Sequence, residues 1–289
     1  PIPIPVELDR CTPPVAGSLL TSACPLPQGW ERGVSFQDTS CLTPTVMGEC
    51  PTCPPDVELK PTQVADTVTF RPVSLISAVR CSTFGGIDVR QVATGTIDET
   101  ASFALAREML TGQAAFRDAN PNTADGEAGN PALTCDSTIV GEFDNAAAAV
   151  ACLERSLAET TGGRSGYLLA APEILFGLAA WDVVYREAGR WYTLTGTRVI
   201  VDPGFDGRAP VCDDSPGCEP WGMNGGPAVG EPLWLYATAS VWAGVGTDMM
   251  RDDVNRADNT ANARAERVAL AAFTPCATFA ASTGVVKTC

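Results

Sequence analysis

Proline density at the start of the chain is the feature that most restricts how this sequence can fold. Thirteen of the 23 prolines lie at or before Pro72. Because proline fixes φ and lacks a backbone donor, residues 1–65 cannot be mainly helix or central strand. We expect an extended arm whose few apolar side chains, such as Trp30 and Phe36, lie across the rest of the chain or across a neighbouring subunit. A disordered tail is the alternative, but these aromatic anchors and the five cysteines before residue 54 argue against it.

The rest of the composition is that of an acidic globular protein. The 289 residues are 45% hydrophobic and 18% charged, which is enough apolar material for a substantial core. The net charge of −15 argues against direct nucleic-acid binding, because phosphate contacts need clustered Lys and Arg. No apolar run is long enough to span a membrane. Removal of an initiator methionine would expose Pro1, so we expect synthesis in the cytoplasm.

The chain contains no histidine. This excludes Ser-His-Asp and Cys-His catalysis and the ordinary zinc sites that use imidazole. Neighbouring carboxylates remain as candidates for acid–base chemistry, at Asp213-Asp214 and Asp252-Asp253. Both pairs lie in polar, turn-rich stretches, where solvated surface charge explains them better. We therefore expect no catalytic residues and no cofactor.

Twelve cysteines, an even number, are unusual for a protein that stays in the cytosol. Cys50 and Cys53 have the CxxC spacing, which also fits a thiolate zinc site, but no second CxxC completes a set of four ligands. Cys212 and Cys218 flank a short segment rich in Asp, Pro and Gly, which favours a disulfide-closed surface loop. We predict disulfides in the mature protein, with these four cysteines as the candidates, and no bound metal. Cys152 falls within an alanine-rich helix, and we expect a buried thiol there.

The clearest local signals lie between residues 144 and 202. Asp144 or Asn145 can cap an alanine-rich helix, Gly162 can end it, and Pro172 suits the first position of a second helix. The predicted order is helix, strand, helix, strand, at residues 145–159, 167–170, 172–185 and 191–201. This order predicts one compact α/β lobe.

The segments around this lobe predict a different layer. Thr96 and Glu99 form a capping box that would start a helix, which Gly112 can end or which would run on to Phe116. Residues 204–230 are rich in Gly, Pro and Asp, which indicates a long surface loop. Strands are predicted at residues 66–79, 232–244 and 263–281, the last of them broken near Pro275. The lobe is thus inserted between a long helix and two late strands.

This chain order is similar to that of the major capsid protein of tailed bacteriophages, the Hong Kong 97-type shell fold shared with encapsulins. The passage GYLLAAPEIL from Gly166, followed by LTGTRVIVD from Leu194, resembles the axial-domain passage of that family. The passages LYAT from Leu235 and NRADNTANARAER from Asn255 resemble its closing pattern. The Ala/Gly/Asp/Arg-rich composition is similar to that of structural proteins of phages that infect actinobacteria. The cysteine-rich arm departs from the family.

The resemblance implies an α+β capsid shell fold with an N-terminal arm, an extended β-hairpin loop, a peripheral domain with a spine helix, and an axial α/β domain. The corresponding parts would be the arm at residues 1–40, the extended loop at 41–80, the peripheral domain at 81–134, the axial domain at 135–230, and returning peripheral strands at 231–289.

The implied function is that of a structural major capsid protein, found in the virion after assembly in the host cytoplasm. Pentamers and hexamers of the chain would build an icosahedral head, together with other virion proteins, and would enclose phage DNA without binding its sequence. Related shells can be sealed by a lysine–asparagine isopeptide bond, for which Lys60 is the residue in the expected loop. The alternatives are another virion protein (minor capsid, decoration or tail), a secreted carboxylate-dependent hydrolase, and a disulfide-rich adhesion module.

Overall fold

The computed structural model describes residues 2–3, 19–39, 66–82, 87–112, 114–115, 129–210, 227–255 and 257–286. Fourteen strands lie within these residues: β1 (Ile2–Pro3), β2 (Cys24–Pro25), β3 (Val34–Asp38), β4 (Asp66–Phe70), β5 (Val73–Ser82), β6 (Thr138–Glu142), β7 (Tyr167–Ala170), β8 (Val184–Glu187), β9 (Arg190–Thr193), β10 (Arg198–Val201), β11 (Pro232–Thr238), β12 (Val241–Asn255), β13 (Thr260–Phe273) and β14 (Thr278–Val286). The helices are α1 (Leu19–Ser22), α2 (Val89–Thr111), α3 (Leu133–Asp136), α4 (Ala146–Thr161) and α5 (Pro172–Ala180).

The strands form three sheets. A small sheet has the order β1-β3-β4, a second has the order β2-β12-β13-β5, and the largest has the order β6-β14-β11-β7-β10-β9-β8. Helix α2 packs on the four-stranded sheet, whereas α4 and α5 pack on the seven-stranded sheet. The α+β architecture with two helix-covered layers is the one expected from the sequence. None of the helices in the described residues is long and apolar enough to cross a membrane.

Helix α2 is longer than the sequence predicted. It begins at Val89, capped by the carboxylate of Asp88, and the predicted start at Thr96 is wrong. The Thr96 hydroxyl donates to the Val92 carbonyl 2.9 Å away, so the supposed capping box lies inside the helix. The end predicted at Gly112 is confirmed, because this glycine adopts the left-handed conformation with φ +62° and closes the last turn.

The axial lobe, which is the seven-stranded sheet with α4 and α5, begins as expected. The Asn145 side chain accepts from the Ala148 amide at 2.8 Å, and α4 ends at a left-handed Gly162. Strand β7 has the predicted bounds, and Pro172 occupies the first position of α5. Helix α5 stops five residues earlier than predicted, because the chain turns at Asp182 (φ 52°) and continues as β8. The strand predicted at 191–201 is two strands, β9 and β10, separated by a turn.

The late strands are divided between the two layers. The single strand predicted at 232–244 is β11 followed by β12, and the predicted break near Pro275 is confirmed between β13 and β14. Strands β12 and β13 form a long hairpin in the sheet that carries α2, but β11 and β14 pair within the seven-stranded sheet. The boundary expected at residue 231 therefore does not separate the layers, since the axial sheet is completed by strands on both sides of the hairpin.

Part of the predicted arm packs on the body of its own chain. The side chains of Trp30 and Phe36 are buried, and the Phe36 ring stacks on Phe70 with ring centroids 6.1 Å apart. Strand β3 pairs antiparallel with β4 along its whole length. Most of the segment between these two strands, and with it most of the loop expected at residues 41–80, lies outside the described residues.

Candidate functional site: a buried junction and an aromatic rim

The first part of the site is a junction of three separate chain segments on the carboxylate of Asp202. This side chain follows β10 and is buried. Its Oδ2 accepts from the Ser102 hydroxyl of α2 at 2.6 Å and from the Leu19 amide of α1 at 3.3 Å. Its Oδ1 accepts from the Gly204 amide at 2.9 Å. A buried carboxylate is tolerated only when its oxygens are satisfied, so this set of donors fixes the arm, the long helix and the axial lobe relative to one another.

A second carboxylate strengthens the junction. Asp206 binds the guanidinium groups of Arg107 on α2 and of Arg208, and all three side chains are largely buried. Burial alone raises the pKa of Asp206, but the hydrogen bonds and charges of Arg208 and Arg107 outweigh it and hold that pKa below its ordinary value. The Tyr236 hydroxyl donates to the Arg208 carbonyl at 2.8 Å, which ties the pair to β11.

Close backbone packing accompanies these polar contacts. A Cβ atom at Gly204 would lie 2.3 Å from the Phe103 carbonyl oxygen and 2.7 Å from the Ala106 Cβ. The next residue, Phe205, is buried in the core. The prediction of a surface loop at 204–230 is therefore wrong for its first residues, because glycine serves here for close approach to α2.

The second part of the site is a group of exposed apolar side chains at the end of the axial lobe, which we call the aromatic rim. Exposed fractions are 75% for Phe176, 61% for Trp181, 72% for Leu194 and 40% for Tyr185. The Leu194 amide donates to the Val183 carbonyl at 3.2 Å, which joins the end of α5 to the β8–β9 hairpin. Large exposed apolar side chains of this kind are candidates for a contact surface.

The rim is held rigid by contacts within the hairpin. Tyr185 stacks on Tyr192 with ring centroids 5.8 Å apart, and the guanidinium of Arg186 lies 5.8 Å from the ring centroid of Trp191. Strand β8 is the last strand of its sheet, so within the described residues one edge of its backbone is unpaired. Aromatic and Arg side chains on a rigid edge are typical of protein–protein interfaces.

The structure does not describe the predicted disulfide cysteines. All four candidate disulfide cysteines, Cys50, Cys53, Cys212 and Cys218, fall outside the described residues, as does Lys60. Their pairing therefore stays a prediction.

The described cysteines are of two kinds. Cys81 and Cys152 are free thiols, whereas Cys24, Cys135 and Cys276 are disulfide-bonded. Cys152 is only partly buried, contrary to expectation, since it stands beside the buried face of α4.

One of the two carboxylate pairs lies within the described residues. Asp213-Asp214 lies outside them. Asp252 binds Arg90 of α2, and strand alternation directs Asp253 to the opposite face of β12, so these two carboxylates cannot act on one substrate. Within the same described ranges, no group of three or more Cys, Asp or Glu side chains is arranged to hold a metal ion.

Comparison with solved structures places this arrangement in a known architecture. The capsid of an empty GTA particle aligns over 97% of this chain and 94% of its own, with a TM-score of 0.52 and 12% identity. A structure from Mycobacterium phage Ogopogo aligns over 98% and 95%, with a TM-score of 0.51 and 16% identity. The chain has the capsid shell fold. No protein-family model and no curated protein matches it by sequence.

A third structure, from Gordonia phage Cozz, aligns over 96% of this chain and 91% of its own, with a TM-score of 0.50 and 10% identity. The expected Hong Kong 97-type architecture is therefore confirmed as a fold. Helix α2 lies on the four-stranded sheet, and α4 and α5 lie on the seven-stranded sheet, which we call the axial layer. The junction joins these two layers, and the rim lies at the free end of the axial layer.

Proposed function

We propose that this protein is a structural major capsid protein that assembles into a closed icosahedral shell around DNA. The observation that carries the proposal is the capsid shell fold, aligned over nearly the whole chain with the capsid of a GTA particle. Its function would depend on contacts between subunits and not on chemistry at a pocket. The axial domain would be the seven-stranded layer, and the peripheral domain would be the four-stranded layer with α2.

The aromatic rim would close rings of subunits into pentamers and hexamers. A ring requires a heterologous contact, in which the rim of one subunit meets a different surface of the next. Phe176, Trp181 and Leu194 are the largest exposed apolar side chains in this part of the lobe, and covering them would supply the apolar centre of that contact. The buried junction would keep the rim at a fixed orientation relative to helix α2.

Charge and cysteine content fit the same role. A net charge of −15 would let the shell enclose DNA without adhering to its phosphates. Disulfides would reinforce the mature shell after release into an oxidising medium. Support for this part comes from the bonded state of Cys24, Cys135 and Cys276. The candidate cysteines Cys50, Cys53, Cys212 and Cys218 remain part of the proposal.

The test is assembly of the purified full chain, observed by size-exclusion chromatography and negative-stain imaging. We expect rings and closed shells, formed by the chain alone or together with a scaffolding protein. A chain that stays monomeric under all these conditions would overturn the proposal. In purified particles, copy number separates the alternatives: hundreds of copies identify the shell subunit, whereas a dozen or fewer identify a minor capsid, decoration or tail component.

A further inference from the structure

One face of the four-stranded sheet, on the side away from α2, is covered by the arm at one end, where Gly244 lies against Trp30, and is exposed at the other end among the described residues. Arg267 of β13 binds Asp98 of α2, so the odd-numbered residues in this part of β13 face the helix, and the even-numbered ones face away. Strand register assigns the neighbouring residues of β5 and β12 to the same outer side. We call this surface the open face, and its side chains include Ile76, Arg80, Met249, Arg251, Asp253, Arg264 and Glu266. All are exposed except Glu266, which is half-buried.

Two arginines of the open face lie next to each other. Arg251 of β12 is directly opposite Arg264 of β13, and like charges at this cross-strand distance repel. Arg264 has a partner in Glu266, with their N and O atoms 3.5 Å apart. Arg251 has no ion-pair partner among the described residues. The sheet therefore presents a guanidinium that a carboxylate from outside would stabilise.

Apolar side chains adjoin these charges. Ile76 and Met249 are each 53% exposed and lie on either side of Glu266 in the same cross-strand row. An interface typically has an apolar centre and a polar periphery, and these two aliphatic side chains with the neighbouring charges match that composition. Phosphate is a poor candidate for the occupant, because Asp253 and Glu266 offset Arg251 and Arg264, and the third arginine of the face, Arg80, pairs with Asp258.

We propose that the open face is a self-contact between two copies of this chain, related by a two-fold axis, in which Arg251 of each copy pairs with Asp253 of the other. A two-fold contact needs one self-complementary patch. Arg251 and Asp253 point to the same side of β12 and stand two residues apart, roughly 7 Å along the strand. When two β12 strands cross in antiparallel orientation, both Arg–Asp pairs form at once, and Ile76 and Met249 are covered beside them.

This inference rests on the proposed function and extends it. A rim contact alone generates separate rings. A closed shell also needs a contact that joins one ring to the next, and a two-fold contact through the open face supplies it. The two contacts involve different layers of the subunit, so they can be removed independently.

The first experiment uses the full chain in three forms: Arg251→Asp, Asp253→Arg, and the two substitutions together. We expect each single variant to form rings but no closed shells, because the partner then meets a like charge. We expect the double variant to recover shells, since exchanging the two charges lets each position pair again across the two-fold axis. Arg155→Asp on α4 is the matched control, because Arg155 is also an exposed arginine and pairs with Glu159 of its own helix, and it should leave assembly unchanged. Shells from the single variants, or none from the double variant, overturn the proposal.

The second experiment is independent of shell formation. A rim variant, Phe176→Ser with Trp181→Ser, should dimerise through the open face in analytical ultracentrifugation. Adding Arg251→Asp should weaken that dimer about 100-fold, and adding Asp253→Arg as well should restore it. A strictly monomeric rim variant overturns the two-fold contact. Dimers from the rim variant, with no rings or shells from the wild-type chain, would instead retain the contact and overturn the proposed function.

Discussion

The Ser102 hydroxyl donates to the buried carboxylate of Asp202 at 2.6 Å, although 100 residues separate the two in sequence. This bond joins helix α2 to the residue that follows β10. The Leu19 amide donates to the same oxygen, so three chain segments share one buried acceptor. The junction therefore couples folding of the arm to assembly of the subunit core.

Removing the Asp202 carboxylate should destabilise the subunit strongly. In Asp202→Ala, the amides of Leu19 and Gly204 and the Ser102 hydroxyl lose their acceptor while remaining buried. We expect a loss of about 3 kcal/mol in the free energy of unfolding, measured by urea denaturation of the unassembled chain. Glu159→Ala, which removes one partner of a highly exposed ion pair on α4, should change it by less than about 0.5 kcal/mol. An Asp202→Ala loss as small as the control would contradict the structural role of the junction.

Gly204, which packs against α2, and Gly95, which lies within α2, should respond to alanine in opposite ways. Gly204→Ala places a methyl group against the Phe103 carbonyl and the Ala106 side chain, and we expect a loss of about 1–3 kcal/mol from overpacking. Gly95→Ala lies within α2, where an added Cβ meets nothing within 4 Å. There the higher helix propensity of alanine should raise stability by about 0.5–1 kcal/mol. Equal effects on the free energy of unfolding, in thermal or urea denaturation, would show that close packing against α2 is not the reason that position 204 requires glycine.

The ends of helices were predictable because the residues that cap them lie within one helical turn in the sequence. Asn145, Gly162 and Pro172 each fix a helix end through their own backbone or side chain, and each occupies the predicted position. The helix start predicted at Thr96 was wrong because the signal there is also local. A Thr-x-x-Glu pattern reads identically at a helix start and inside a helix, and only the cap at Asp88 decides between them.

The non-local parts could not be predicted. Nothing in the sequence of β11 or β14 distinguishes the axial sheet from the peripheral one, because that choice depends on pairing with β7 and β6. The exposure of Phe176 and Trp181 is also non-local, since the sequence of α5 is apolar on all sides. A short helix with more apolar residues than one sheet can cover is the only sequence signal for the rim.

The free energy that Asp206 contributes to folding should fall as the solution becomes acidic. The pKa of Asp206 is lower in the folded chain than its ordinary value of 3.8, because Arg208 and Arg107 stabilise the carboxylate. Its contribution is therefore fully present above about pH 4 and is lost as pH falls through the lowered folded value. Wild type should exceed Asp206→Asn in unfolding free energy at pH 7, and the two should converge in strong acid. A difference that grows on acidification would contradict this sign.

The rim should control association without affecting the subunit itself. Phe176→Ser and Trp181→Ser remove large exposed side chains, so unfolding of the unassembled chain should change little. If these side chains lie at the centre of the ring contact, each should weaken association by more than about 30-fold, as measured by sedimentation. Val254→Ser is the matched control, because Val254 is similarly exposed but lies on β12, in the four-stranded sheet and outside the axial lobe. Ring formation that survives both rim substitutions, or fails equally in the control, would place the ring contact on another surface of the subunit.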